Sequence, residues 1–327
     1  MPFKKAKRIK QRIRMAVGGP SGSGKTLGAL RIAFGLCGDW SKVFVVDTEN
    51  DSALSYANDP ATSVGEFMHD SLRKPYTPSR YVEKIKEAVE AGAEVVVVDS
   101  LSHEWDGPGG VKETHDNLPG NAFTNWGKVN PIHAELIDYL VNQCPVHVIA
   151  TLRAKTKYAL NEEDTEGGGK KTKVERLGVE PIMRPGTEYE FLLYVELDRL
   201  THRADVVTKR GSMVPDMRPV ELTVDLGRQL AQWANSGEER EPMTLAEARA
   251  FPHPKTGVAL GESTRDKWEA LKAFVDKSKD PFKYAQLREA LVLLLAQPLP
   301  SATAPQVREP VAEPPSDNGR EEPIPAA

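Results

Sequence analysis

Eight consecutive residues, Gly19-Pro20-Ser21-Gly22-Ser23-Gly24-Lys25-Thr26, have the types and spacing G-x-x-x-x-G-K-[ST] of a phosphate cradle. Glycines let successive backbone N–H groups turn toward one anion, and the start of a following helix adds its positive dipole end. Lys25 brings a cation to the β- and γ-phosphates, and Thr26 offers a hydroxyl to Mg²⁺. The chemistry implied is binding of a nucleoside triphosphate, ATP with Mg²⁺. That meaning requires a strand before the motif and a helix after it, and the apolar stretches 13–17 and 27–36 supply both.

Such a site needs a metal-binding carboxylate and a group to act on water. Residues 94–100 read Glu-Val-Val-Val-Val-Asp-Ser, a strand buried on both faces that delivers Asp99 at its C-terminal end, where open α/β sheets bind ligands. Asp99 is the candidate Mg²⁺ carboxylate beside Thr26. Many oligomeric P-loop ATPases carry a water-activating glutamate directly after that aspartate, but this chain has Ser100 there. Residues 42–49, Lys-Val-Phe-Val-Val-Asp-Thr-Glu, form another buried-strand pattern ending in acids, so Glu49 is the best-placed base. Asp47 and Glu104 are alternatives, and a solvated strand-end carboxylate is the competing reading of Glu49.

The elements that position these groups alternate strand and helix, which predicts an α/β fold with a mostly parallel sheet flanked by helices. A helix is expected over 78–90 and another over 131–142, with Pro131 in its first turn and Ile132, Leu136, Ile137 and Leu140 on one stripe. A strand follows at 146–150, and 190–197 and 203–208 read as neighbouring strands of an extended sheet. The divisions expected are a basic arm at 1–11, an ATPase core at 12–237, a small helical module at 238–297 and an acidic, Pro-rich tail at 298–327 expected to be disordered. In the module, Trp268, Leu271 and Val275 share one helical face, and Tyr284, Leu287, Leu291 and Leu294 another, after Asp280-Pro281. Packing and a partner groove are both open readings of these faces.

The order of phosphate loop, then Val45-Val46-Asp47-Thr48-Glu49, then Val95-Val96-Val97-Val98-Asp99-Ser100-Leu101-Ser102 resembles the core of RecA-like recombinase ATPases. It is similar in particular to phage-encoded RecA-like ATPases of recombination and single-strand annealing, among AAA-family ATP-binding proteins, over about residues 12–210. The resemblance implies that Glu49 polarises the attacking water, that Asp99 serves Mg²⁺ and that Thr151, where the family usually carries an amide, senses the γ-phosphate. It implies a homo-oligomer with ATP at the seam between subunits and a cation supplied by the neighbour, for which Arg210 or Lys209 is placed after a late strand. It further implies single-stranded DNA on the two segments after the Asp99 and Thr151 strands. One is the Gly- and aromatic-rich 103–127; the other carries Arg153, Lys155, Lys157 and Tyr158 and then Lys170, Lys171 and Lys173. A solvated surface turn is the competing reading of the last three lysines. The function expected is a DNA-dependent ATPase of phage recombination, annealing or repair. The alternatives are a protein-remodelling or helicase-loader ATPase and a P-loop small-molecule kinase.

Composition bounds the rest. A net charge of −4 over 327 residues does not mark the whole chain as nucleic-acid binding, so DNA contacts would be local. The basic side chains of residues 4–14 are candidate phosphate contacts or a plain solvated arm. Two cysteines without metal-ligand spacing read as small apolar residues. No apolar run is long enough for a membrane helix, and a cytoplasmic protein is expected. The tail is a solvated segment or a dock for a single-strand-binding or replication protein.

Overall fold

A computed structural model describes residues 5–164, 170–214, 219–239, 241–276 and 285–297. The chain divides into one unit comprising Met1–Pro242 with Lys279–Ala285, and a second comprising Met243–Ser278 with Gln286–Ala327. The first unit is built on an eight-stranded sheet. Its strands are β1 (Arg14–Gly19), β2 (Val43–Asp47), β3 (Met68–Ser71), β4 (Val95–Asp99), β5 (His147–Asp164), β6 (Lys170–Pro181), β7 (Leu193–Leu197) and β8 (Ala204–Lys209). The order across the sheet is β3-β2-β4-β5-β1-β7-β8, with β6 paired to β5 outside that path. All pairings are parallel except β5 with β6 and β7 with β8. Parallel strands point their C-terminal ends to one edge, so the ends of β1, β2 and β4 meet there.

Residue choice explains the burial. In β4 the four valines alternate between the two faces, Val95 and Val97 packing with Ile13, Met15 and Leu30, and Val96 and Val98 with Tyr81, Ile85 and Leu136. A strand covered on both faces needs apolar side chains at every position, which is the pattern the sequence carries. One cover holds α1 (Lys25–Cys37); the other holds α2 (Pro78–Glu90), whose Tyr81 and Ile85 are fully buried. Helix α2 has the bounds expected from sequence, with Pro78 in its first turn.

Two segments differ from expectation. The glycine-rich 103–127 stretch is not an open loop: it folds into α3 (Ser102–Asp106), α4 (Val111–Asp116) and the start of α5 (Ala122–Asp138). Trp105 and Trp126 stack at 5.7 Å and His115 lies on Trp126 at 3.9 Å, whereas Phe123 is exposed. Helix α5 starts nine residues before the proline expected to open it, because Asn121 caps the first turn by accepting from the Phe123 N–H (2.8 Å) and Val129 is buried. Pro131 therefore lies inside the helix, where it lacks the N–H that Gly127 would accept. The other departure is β5, which continues far beyond Ala150 as half of an antiparallel hairpin with β6.

Helix α6 (Val224–Asn235) crosses α1 closely enough that Gly35 and Gly227 face each other without side chains. The N-terminal arm lies on the end of α6. Lys10 N–H donates to the Glu238 carbonyl (2.9 Å), Arg8 covers the Trp233 ring at 4.6 Å, Lys7 pairs with Glu238 (3.0 Å) and Lys10 pairs with Glu239. These three cations are engaged by the protein's own groups. In the second unit, α7 (Leu245–Ala250), α8 (Arg265–Asp276) and α9 (Ala285–Leu295) bury Val275, Leu287, Leu291 and Leu294. Asp280-Pro281, expected to start the last helix, Tyr284 and the 298–327 tail lie outside the described residues. Among the described residues no helix is long and apolar enough to cross a membrane.

Candidate nucleotide site

The site forms where β1 ends and α1 begins. Gly22 and Gly24 hold left-handed φ angles of 77° and 93°, which a side chain would strain, and these turn the loop so that α1 starts at Lys25. Lys25 Nζ donates to the Pro20 carbonyl at 3.0 Å. Burial lowers its pKa, opposed by the Asp99 and Glu49 carboxylates, so an anion in the loop would restore the ammonium's solvation. Ser23 is fully buried within the loop, and its hydroxyl has no partner among the described residues. A polar atom so placed fits a cradle for phosphate oxygens.

Asp99 is 1% exposed and holds two hydroxyls: Thr26 Oγ1 donates to Oδ2 at 2.6 Å, and Thr151 Oγ1 donates to Oδ1. Burial raises the Asp99 pKa, and the two hydroxyl bonds oppose that rise. This all-oxygen donor set fits Mg²⁺, which takes one or two carboxylates and completes its shell with phosphate oxygens and water. Thr151, expected as a γ-phosphate sensor, is thus turned onto the carboxylate.

The three candidate bases are distinguished by their surroundings. Asp47 is 1% exposed and spent on the turn after β2, accepting from the N–H groups of Glu49 (2.6 Å) and Ala53 (3.0 Å). Glu104 is fully buried against His133 at 3.1 Å, and burial raises its pKa. Glu49 keeps a 28% exposed side chain, and its Oε1 accepts from Ser100 Oγ at 3.0 Å and lies 3.6 Å from Arg153 Nε. The residue standing where the sequence lacked a glutamate thus donates to the one after β2. Arg153 Nη1 also reaches His103 Nε2 at 3.1 Å, so that nitrogen accepts and Nδ1 carries the proton to Thr48 Oγ1 (2.8 Å). Burial lowers the His103 pKa, which agrees with a neutral ring accepting from a guanidinium.

Other predicted residues lie elsewhere. β8 runs antiparallel, with Lys209 paired to Leu193 at the start of β7, so Lys209 and Arg210 sit at the sheet edge opposite their own phosphate loop. Lys209 Nζ donates to the Val214 carbonyl (2.8 Å) and Arg210 Nη2 to the Tyr189 carbonyl (3.5 Å). Lys155 is exposed, at the root of the β5–β6 hairpin. The hairpin register places Lys157 opposite Gly178, Lys170 opposite Asp164, Lys171 opposite Glu163 and Lys173 opposite Asn161.

Sequence reasoning missed the wall beside the loop. His202, in the turn between β7 and β8, donates from Nδ1 to the Ser23 carbonyl at 3.1 Å. Together with Tyr56, Leu222 and Thr223 it lines a cavity of about 390 Å³ that opens onto Gly22–Gly24. No spacing signal joins His202 to the phosphate loop nearly 180 positions before it, and the two meet because β7 pairs with β1.

No curated protein matches the chain. A family model described as an AAA domain matches residues 11–206, from just before β1 into β8 and so across the loop, Glu49, Asp99, Thr151 and the hairpin. With the loop joined to Asp99 at one edge of a mostly parallel α/β sheet, the chain belongs to the AAA-domain family of P-loop ATPases.

Proposed function

We propose that this chain hydrolyses ATP with Mg²⁺ and that single-stranded DNA at the β5–β6 hairpin is its effector, in phage recombination, single-strand annealing or repair. The observation that carries the DNA reading is the continuity of β5. The same strand places Thr151 on Asp99 and then continues to Asp164 as one arm of the hairpin, with a shift of register between Lys157 and Tyr158. A load on the hairpin therefore acts on a strand bonded to the metal carboxylate. An antiparallel ribbon whose sequence carries Lys155, Lys157, Lys170, Lys171 and Lys173 suits contact with a nucleic-acid backbone.

In this reading Lys25 and the amides of Gly22–Lys25 bind the phosphates. Thr26 and Asp99 would hold Mg²⁺, which would supply neutralisation of the negative charge on the phosphates. Glu49, partly open to solvent, orients water and accepts its proton. Thr151 reports on the γ-phosphate through Asp99. Arg210, remote from its own loop, acts only on the site of a neighbouring chain in a homo-oligomer. The tail, residues 298–327, is the dock for a single-strand-binding or replication protein.

Steady-state ATP hydrolysis at fixed Mg²⁺, with and without single-stranded DNA, tests the reading. Stimulation by the oligonucleotide is expected. Hydrolysis indifferent to DNA but raised by a protein partner would overturn the DNA assignment in favour of a remodelling ATPase.

A further inference from the structure

We propose that the chain docks its own tail on its second unit: residues 307–315, Val-Arg-Glu-Pro-Val-Ala-Glu-Pro-Pro, occupy a groove beside α8 as an extended proline helix.

The groove encloses about 580 Å³ between α8 and the turn that precedes it. One wall is the α8 stripe Lys267, Leu271 and Phe274, spaced i, i+4, i+7 and set about a quarter turn from the buried Val275. The other wall is the turn between Pro252 and Ala259, which pair as an antiparallel bridge. That turn is held by His253 N–H donating to the Val258 carbonyl (2.8 Å) and by Lys255 N–H donating to His253 Nδ1 (3.2 Å). Trp268 also lines the groove, its indole fixed because Nε1 donates to the Leu260 carbonyl at 2.7 Å. Val258 and Phe274 are each 46% exposed. A fixed indole beside an open phenyl ring and a valine suits a polyproline II segment, which is already extended and loses little freedom on binding.

Charge selects the segment. Lys255, with Nζ 5.4 Å from the Phe274 ring centre, and Lys267 are both exposed, and among the described residues neither pairs with a carboxylate. They outnumber the lining acid, Glu262. Residues 307–310 and 311–314 repeat Val-x-Glu-Pro. The repeat offers valines and prolines to the apolar walls, and Glu309 and Glu313 to the two lysines.

The tail also departs from the right place. Arg265, the first residue of α8, donates to the carbonyls of Leu295 (2.9 Å) and Gln297 (2.8 Å), which pins the end of α9 beside the start of α8, two positions before Lys267. Residues 298–306 then bridge to Val307, and as polyproline II they reach about 28 Å. Helix α8 is about 18 Å long, so the tether spans the groove from either end. Tethering sets an effective concentration on the order of 1 mM, so a groove with an intrinsic Kd of about 100 µM is filled in cis about ten to one.

The test titrates a dye-labelled peptide of residues 304–316 into full-length chains, read by fluorescence anisotropy. Glu309→Lys with Glu313→Lys should empty the groove, and the peptide should bind that chain about tenfold more tightly than wild type. Adding Phe274→Ser, at an exposed position, should abolish that binding. Equal binding to wild type and to the tail variant, or binding to neither, overturns the proposal. Carbodiimide coupling of mixed unlabelled and ¹⁵N-labelled wild type gives a second readout. Links from Lys255 or Lys267 to Glu309 or Glu313 should fall within single chains. Links of hybrid mass would assign the groove to the tail of a second copy and overturn docking in cis. ATP hydrolysis enters neither readout, so the result is independent of the reading of the nucleotide site.

Discussion

Replacing Thr151 with valine removes one hydroxyl and keeps the shape of a side chain that is fully buried. That hydroxyl donates to Asp99 Oδ1, while Thr26 serves Oδ2. Asp99 has a folded-state pKa above the ordinary carboxylate value because burial outweighs the two hydroxyls. A raised value means that Asp99 favours the folded state fully at acid pH, and that this contribution is lost as pH rises through the folded pKa. The valine removes a bond that favours the charged form, raising the folded pKa further and enlarging the loss. With Asp99 charged, the missing bond is worth about 1.5–3 kcal/mol; with Asp99 protonated, about 0.5–1.5 kcal/mol. Urea denaturation of wild type and Thr151→Val over a series of pH values should show a deficit that grows, by about 1 kcal/mol, as pH rises through the folded-state titration of Asp99. Saturating Mg²⁺ with a non-hydrolysable nucleotide should narrow the gap, since a metal would engage the carboxylate. A deficit that stays equal across the whole series would refute the argument that this hydroxyl supports a buried charge.

Lys25→Ala should abolish nucleotide binding, whereas Glu49→Gln should bind normally and lose about 10²-fold or more in kcat, as read by a fluorescent nucleotide and by steady-state hydrolysis. Loss of binding in both variants would show that Glu49 does not act on water alone. Changing Lys170, Lys171 and Lys173 together to alanine should flatten the log–log salt dependence of single-stranded DNA binding by about two, at about 0.7 per phosphate contact. An unchanged slope would return these lysines to a solvated surface. Gly35→Ala places a Cβ 2.7 Å from Gly227 Cα and 2.9 Å from the Arg228 nitrogen, backbone atoms that cannot rotate away. Overpacking of about 1–3 kcal/mol should then exceed the helix-propensity gain of about 1 kcal/mol. The melting temperature should fall, and a rise would show that α1 and α6 part without cost.

The residues between Gly19 and Thr26, together with two apolar runs ending in Asp47 and Asp99, were enough to read an α/β nucleotide-binding core from sequence. Each signal there is local. A glycine-rich turn, an unbroken β-branched run and a Pro-led helix are decided by backbone preference and burial within a few residues. This is why α2 has its expected bounds and Val95–Val98 are buried on both faces. Choices among like residues were not local. Sequence offered Asp47, Glu49 and Glu104 as bases, and they differ only in what the fold puts beside them: two backbone amides, Ser100 with Arg153, and His133. The glycine-rich 103–127 stretch read as a loop because its helices are short and held by ring packing between Trp105, His115 and Trp126, contacts that no periodicity encodes. Strand direction decided the position of Arg210. A late strand could run either way by its composition, and antiparallel pairing with β7 carries that arginine to the edge away from its own loop. The sequence by itself therefore determined which chemistry the chain can host, because phosphate cradles and buried strands are built from neighbours in the chain. The tertiary structure decided which carboxylate, which hydroxyl and which cation meet at that chemistry, because charge and hydrogen-bond partners are chosen across the sheet between residues far apart in sequence.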